Sequence, residues 1–147
     1  MRTILVMAGL LSCGIAVARA QPVPVDIIVT RQAGYDLMAS ALGAVNLAVK
    51  AKVEVKSFAG AGAAMSAWAK QIPSLFPPGS DKGSRATKAK PEIWTDWATF
   101  QKDAAALDAA ATKLTALAKA NDTEGFTAQL KVVADACAAC HKAFRAQ

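Results

Sequence analysis

The sequence is poor in the residues that most often carry chemistry or reverse the chain: it has one histidine, three cysteines and six prolines in 147 residues. A single histidine excludes a His-rich metal site and any mechanism that needs two imidazoles. Three cysteines cannot all pair with one another, so at least one has a different fate. The hydrophobic fraction of 54% is too high for a disordered chain. The net charge of +6 is too modest to indicate nucleic acid by itself, and we expect no nucleic-acid partner.

The N-terminal segment has the three parts of a secretory signal peptide. Met1-Arg2-Thr3 is a basic start, residues 4–17 are apolar, and Ala18-Arg19-Ala20 is an A-x-A cleavage site. The apolar run has about 14 residues, fewer than the roughly 20 that a membrane-spanning helix needs. We therefore expect residues 1–20 to be a cleaved signal peptide and residues 21–147 to be one domain without a membrane span. Cleavage removes Cys13 and leaves two cysteines, Cys137 and Cys140.

Two other interpretations of the N-terminal segment stay open. It could be retained as an anchor, or Leu10-Leu11-Ser12-Cys13 could be a lipoprotein processing site, although Leu11 fits that pattern poorly. Export predicts an oxidising compartment.

The positions of the prolines predict four helices. Prolines occur at 22, 24, 73, 77, 78 and 91, and long alanine-rich stretches between them contain none. We expect helices over 26–50, 54–72, 91–120 and 123–145, with a loop over 73–90. Helices of similar length with short connections predict an all-α fold, an antiparallel four-helix bundle.

Apolar residues recur at helical spacing in the first and last predicted helices. The stripe in the last helix consists of Phe126, Leu130, Val133, Cys137, Cys140 and Phe144. The stripe in the first helix consists of Ile28, Arg31, Tyr35, Met38, Leu42, Val45 and Val49. Each stripe predicts one buried helix face. Arg31 and Tyr35 are the polar exceptions in the first stripe.

Residues 137–141 carry the chemistry, because Cys137-Ala138-Ala139-Cys140-His141 is a C-x-x-C-H motif typical of c-type haem attachment. Two thiols three residues apart on a helix share a face and can each bond one porphyrin vinyl group. His141, four residues after Cys137, lies on the same face and can reach the iron as the proximal ligand.

Other interpretations of this motif fit less well. A zinc site needs about four N or S ligands, and the mature chain offers three. A thioredoxin-like motif needs an α/β setting, and a disulfide between residues three apart in a helix has poor geometry and leaves the histidine without a role. With His141 used on one side of the iron, the other side must have Met, Tyr, Lys, a small molecule or nothing.

This arrangement resembles cytochrome c′, the class II c-type cytochromes of bacterial periplasms. Besides Cys137–His141, the resemblance is carried by Arg31-Gln32, Tyr35, Met38, the segment 75–80, Pro91-Glu92-Ile93-Trp94 and Phe144-Arg145. It covers nearly the whole mature chain. It implies a bundle with one covalent haem c on the C-terminal helix, held by Cys137 and Cys140, and a periplasmic location.

The resemblance also implies roles for single residues around the haem. Arg31 matches an arginine beside a haem propionate, although it could instead extend to solvent, and Arg145 matches an arginine close to the proximal histidine. Tyr35 matches the residue that faces the vacant iron site and blocks it without binding. Met38 matches a haem-pocket position, although core packing is the simpler role. Two apolar walls are implied at Phe76 and Trp94.

The function that the resemblance implies is a five-coordinate, high-spin haem protein that binds small diatomic gases, NO and CO, in nitric oxide scavenging or buffering. We expect no enzymatic activity. The alternative is a one-electron carrier between periplasmic redox partners, which a Met38-ligated low-spin haem would favour, with surface lysines steering an acidic partner. A haem-bearing module without ligand chemistry is a third possibility.

Members of this family commonly pair through their first helices, which implies a homodimer here. A second, small and apolar face of the first helix suits such contact, and it consists of Ile27, Leu37, Ala41, Ala44 and Ala48. The same face could instead pack inside the bundle.

Overall fold

A computed structural model describes residues 26–147, and the predicted signal peptide, with Cys13, lies outside these residues. The described chain is all-α, as predicted. Its helices are α1 (Ile27–Lys50), α2 (Ala59–Gln71), α3 (Glu92–Thr95), α4 (Trp97–Lys119) and α5 (Thr123–Phe144). Short 3₁₀ turns occupy Val55–Phe58 and Pro73–Leu75. The four longer helices form the expected bundle, which confirms the predicted fold class.

The second helix begins later than predicted. Residues 55–58 form a 3₁₀ turn, and the α-helix begins at Ala59 instead of near residue 54. The turn inserts Val55 completely into the core (0% exposed). A Cβ on Gly62 would lie 2.6 Å from Oγ1 of Thr115, so this glycine lets α2 approach α4 closely. Tertiary packing therefore accounts for the late start of α2 and for the glycine at position 62.

The third predicted helix is divided at Asp96. Residues 92–95 form one helical turn, and Asp96 then leaves helical geometry with φ −123° and ψ 55°. The Asp96 carboxylate accepts a hydrogen bond from the backbone N–H of Thr99 at 3.4 Å, so it caps the new helix α4. The continuous apolar pattern through this region concealed the break.

The buried apolar side chains form two clusters. The bundle core consists of Val45, Val55, Met65, Ala110, Ala111, Leu114, Ala118, Phe126, Leu130 and Val133. The pocket cluster consists of Ile72, Leu75, Phe76, Ile93, Phe100, Ala104 and Phe144. The helix α1 contacts both clusters, since Leu42 and Val49 pack on the first and Ile27 and Tyr35 on the second.

Residues 80–90, called the strap here, connect the start of α1 to the end of α5. The Gln32 amide donates to the carbonyl of Ala86 at 2.8 Å. At the other end, the backbone N–H of Lys90 donates to the carbonyl of Phe144 at 3.0 Å. The backbone N–H of Ala146 donates to the carbonyl of Lys88 at 2.8 Å. The strap thus closes one end of the bundle beside the C-x-x-C-H motif.

Within residues 26–147, none of the helices combines the length and the apolar character that crossing a membrane requires.

Candidate haem site

A cavity of about 640 Å³ lies between α1, α5 and the strap. Its walls include Arg31 and Tyr35 from α1, and Cys140 and His141 from α5. Phe76, Ile93, Phe100 and Phe144 of the pocket cluster also line it. The volume is in the range of cavities that hold cofactors, and the lining combines apolar rings with a few cations.

Tyr35 and His141 face each other across this cavity. Their ring centroids are 6.5 Å apart and the ring planes are inclined by 71°. Burial and the charge of Arg145 lower the pKa of His141, so its imidazole is neutral at pH 7, the form that ligates a metal. Burial raises the pKa of Tyr35 far above its ordinary value, so its phenol is also neutral.

Cys137 and Cys140 lie on α5, are half-buried and do not form a disulfide with each other. Cys140 lines the cavity, whereas Cys137 lies one turn earlier on the helix, outside the lining. Burial raises the pKa of Cys137, and burial with the nearby Asp103 raises that of Cys140 to about 11. Residues 26–147 contain no group of three His, Cys, Asp or Glu side chains that could hold a metal ion. The donor set thus suits a covalent haem better than a zinc site.

Arg31 is buried beside the cavity with only 2% of its surface exposed. One guanidinium nitrogen donates to the Leu75 carbonyl at 3.3 Å and to Oγ of Ser80 at 3.0 Å. The other donates to the Ser80 carbonyl at 2.8 Å and to Oγ1 of Thr87 at 3.0 Å. The guanidinium carbon lies 4.4 Å from the centroid of the Phe76 ring. Extension of Arg31 to solvent, the alternative kept open above, is therefore wrong.

The charge of Arg31 has no acidic partner in the described part of the chain, where the ion pairs are Lys70–Asp108, Lys90–Glu92 and Lys131–Asp135. Burial lowers the pKa of Arg31, and the more distant charges of Asp26 and Asp81 oppose this shift only in part. A buried cation with four neutral acceptors and no carboxylate is costly unless a ligand brings a negative charge. Arg31 lines the cavity, so a carboxylate-bearing group such as a haem propionate fits there.

The two predicted aromatic walls lie in different layers. Phe76 is buried, lines the cavity and packs edge-to-face on Phe100 at 5.0 Å. Trp94 does not line the cavity; its indole N–H donates to the carbonyls of Phe76 at 3.1 Å and Pro77 at 3.2 Å. Trp94 therefore holds the backbone that carries Phe76.

The structure does not bring Met38 to the site. Met38 packs against the bundle core and is absent from the cavity lining, although Tyr35 on the preceding turn lines it. Arg145, by contrast, lines the cavity, and its backbone N–H donates to the carbonyl of His141 at 3.0 Å.

Comparison with known proteins identifies the family. A family model described as Cytochrome C' matches residues 26–145. The chain belongs to the cytochrome c′ family. The cytochrome c′ of Rubrivivax gelatinosus is 36% identical over 124 residues, which cover 83% of this chain and 95% of that protein.

Solved cytochrome c′ structures have the same fold. One that is described as showing an unusual ligand-controlled dimer dissociation has a TM-score of 0.79 at 29% identity, covering 87% of this chain and 100% of that one. A nitric oxide complex of a mutant cytochrome c prime from Alcaligenes xylosoxidans has a TM-score of 0.73 at 29% identity, covering 82% and 94%.

The family assignment settles the cofactor. Cytochromes c′ carry covalently attached haem c, so this chain carries it too, in keeping with the C-x-x-C-H motif at Cys137 and Cys140. The residues around the cavity fit that group, because the half-buried thiol of Cys140, a neutral imidazole, apolar rings and a buried cation without an ion pair meet there, and Cys137 lies one turn earlier on the same helix.

The strap also contributes to this cytochrome c′ site, although no pattern in the sequence indicates it. Arg85, Thr87 and Lys88 line the cavity, and Asp36 is the one acidic side chain among its lining residues. Lysines in a polar loop are typical surface charges, so nothing in the sequence singles out Lys88 as a residue that lines a cavity. A local pattern could not reveal more, since Thr87 meets Arg31 across a separation of 56 residues.

Proposed function

We propose that this cytochrome c′ is a periplasmic, five-coordinate, high-spin haem protein that binds NO and CO and scavenges or buffers nitric oxide. When bound, the haem supplies an iron that can take a diatomic ligand. His141 would hold the iron from α5, and the opposite side would carry no protein ligand. This is a binding function, and we propose no enzymatic step.

The observation that carries the proposal is the placement of Tyr35 opposite His141. The tyrosine ring occupies the side of the cavity from which a sixth ligand would come, and Met38 is packed elsewhere. Tyr35 would narrow the space for a ligand, and Phe76 and Phe100 would keep water away from the cavity wall. Arg31 would neutralise a propionate and so orient the haem.

Absorption spectra of the purified ferrous protein with and without carbon monoxide test the vacant site. We expect a high-spin spectrum that changes on CO addition. A low-spin spectrum that CO does not change would contradict the proposal.

Replacing Tyr35 with alanine tests the role of the tyrosine. We expect CO association to become faster by about tenfold, which corresponds to a barrier lowered by ~1.4 kcal/mol. Met38→Leu is the matched control on the next turn, and it should leave both the spectrum and the rate unchanged. An unchanged rate in the Tyr35 variant would show that Tyr35 is not a gate.

The second candidate, a one-electron carrier, draws its support from the charge at the cavity. Arg85, Lys88 and Arg145 line it, and such a group of cations can steer an acidic redox partner. Ligation by Met38 would favour this function strongly. A change from a low-spin to a high-spin spectrum in Met38→Leu would support the carrier and contradict a vacant site.

We also propose that the chain forms a homodimer through the outer face of α1. Leu37 and Leu47 are 64% and 69% exposed, and Val29 is 37% exposed. Two residues of the predicted face, Ile27 and Ala41, pack instead against the inner clusters. Sedimentation of the haem-loaded protein should give a dimer that Leu37→Glu dissociates; a monomer in the unsubstituted protein would refute the pairing.

The predicted export is tested at the N-terminus. The mature protein purified from the periplasmic fraction should begin at Gln21 by mass spectrometry.

A further inference from the structure

We propose that Trp68 on α2 fixes the position of Tyr35, and that Gly34 on α1 makes this possible because it has no side chain. The inference rests on the proposed function, since that function places Tyr35 on the ligand side of the haem. Trp68 would be a positioning residue that sets ligand access through the tyrosine ring.

The Trp68 and Tyr35 rings are in direct contact. Their centroids are 5.7 Å apart and their planes are inclined by 85°, an edge-to-face arrangement that aromatic pairs favour. His141 is the other aromatic neighbour of Tyr35, and it lies across the cavity. Trp68 therefore packs against Tyr35 from within the bundle, whereas His141 faces Tyr35 from across the cavity.

The indole of Trp68 occupies the space that a side chain at position 34 would need. A Cβ on Gly34 would lie 1.9 Å from Cη2 of Trp68 and 2.4 Å from both Cζ2 and Cζ3. These three atoms belong to the six-membered part of the indole, so that part rests directly on the backbone of α1. Only glycine at position 34 allows this contact without movement of the ring.

Packing, and not a hydrogen bond to the described residues, holds the Trp68 indole in place. The indole N–H is buried and has no hydrogen-bond acceptor among the described residues. A buried N–H without a partner costs free energy that phenylalanine would avoid. The size of the indole, which reaches over Gly34 to Tyr35, is the property that the site uses.

Truncation of Trp68 in the haem-loaded protein gives the first test. We expect Trp68→Ala to accelerate CO association by about fivefold, because the freed tyrosine ring can turn away from the ligand path. A crystal structure should show the Tyr35 ring displaced or in two orientations. Trp97→Ala is the matched control, since Trp97 packs on Phe100 and not on Tyr35.

A double variant separates positioning from direct contact with the ligand. If Trp68 acts through the tyrosine, Trp68→Ala should have no further effect on the CO association rate in a Tyr35→Ala background. An equal acceleration in both backgrounds would overturn the proposal, because Trp68 would then act on the ligand path directly.

Alanine substitutions of two α1 glycines give the second test. Gly34→Ala should displace the Tyr35 ring, whereas Gly43→Ala should not, because a Cβ at position 43 has no atom within 4 Å. Combining Gly34→Ala with Trp68→Phe should restore the ring position, since the smaller ring makes room for the methyl group. A Tyr35 ring unmoved in Gly34→Ala, or not restored in the double variant, would refute the role of Gly34.

These tests remain informative under each failure. If Gly34→Ala does not fold, Trp68→Ala and the combined variant still report the ring position. If the unsubstituted protein does not bind CO, the proposed function fails, whereas the crystallographic position of Tyr35 in Trp68→Ala still decides whether Trp68 holds it.

Discussion

Replacement of Arg31 tests whether one buried cation joins the strap to α1. Its guanidinium makes four hydrogen bonds, to Leu75, Ser80 and Thr87, with donor–acceptor distances from 2.8 to 3.3 Å. Arg31→Ala removes all four and the contact with the Phe76 ring.

The magnitude follows from what the substitution leaves behind. A hydrogen bond to a charged group contributes about 1.5–3 kcal/mol, but water can enter the vacated space and satisfy part of the freed acceptors. We therefore expect Arg31→Ala to lower the free energy of unfolding by about 2–4 kcal/mol. Arg31→Lys keeps the positive charge but loses the planar guanidinium group that donates several hydrogen bonds. Its unfolding free energy should therefore fall less than that of Arg31→Ala.

Two assays on the haem-loaded protein measure this effect. Urea unfolding gives the global change, and limited trypsin digestion reports the strap, because Lys82, Arg85 and Lys88 are cleavage sites within it. If the free energy of opening the strap falls by about 2 kcal/mol, cleavage there becomes about 30-fold faster, provided that opening and closing are fast relative to cleavage.

Gln32→Ala is the matched comparison for this experiment, because Gln32 also joins α1 to the strap, but by a single exposed hydrogen bond to the carbonyl of Ala86. It should change the unfolding free energy by less than about 0.5 kcal/mol. An Arg31→Ala variant as stable as this control, with an unchanged rate of strap cleavage, would refute the reasoning.

Two further predictions concern stability. Phe126 is completely buried in the bundle core (0% exposed), so Phe126→Ala should lower the unfolding free energy by about 3–5 kcal/mol, and a loss under 1 kcal/mol in urea unfolding would contradict this. Asp26 caps α1, and hydrogen bonds from the Ser84 hydroxyl and the Val29 N–H lower its pKa in the folded state. The contribution of the Asp26 carboxylate to the unfolding free energy is therefore fully present above the pKa that Asp26 has in the unfolded chain. It is lost as the pH falls through the lower pKa that Asp26 has in the folded protein. Urea midpoints measured from pH 6 to pH 2 should show a stability advantage over Asp26→Asn that disappears at the acid end; a pH-independent difference would contradict the assignment.

The sequence was informative where the determinants are local. The helices α1 and α5 begin and end within about two residues of the predicted limits, since caps at Asp26 and Asp122 and continuous apolar stripes define them. The C-x-x-C-H motif identified the cofactor because its geometry lies within one turn of helix. Arg31 was noticeable as a cation on an apolar stripe, and the structure does bury it.

The sequence was uninformative where contacts are distant. The periodicity of α1 predicts which face is buried, but not which cluster that face meets. Tyr35 and Met38 lie on the same stripe, yet Tyr35 contacts the pocket cluster and Met38 the bundle core. The spacing of apolar residues along α1 does not show where one cluster ends and the other begins. It also does not show that Arg31 contacts Ser80.

The glycines of α1 show what a sequence can still reveal about such distant contacts. A glycine inside a helix costs about 1 kcal/mol relative to alanine, so its presence calls for a compensating contact. Gly34 has one, because the Trp68 indole occupies the position of its missing Cβ, whereas Gly43 faces open space. Gly43→Ala should therefore raise the unfolding free energy by about 0.5–1 kcal/mol, while Gly34→Ala should lower it. If the same Gly→Ala substitution stabilises the protein at position 43 and destabilises it at position 34, then the contact with Trp68, and not helix propensity, explains the glycine at position 34.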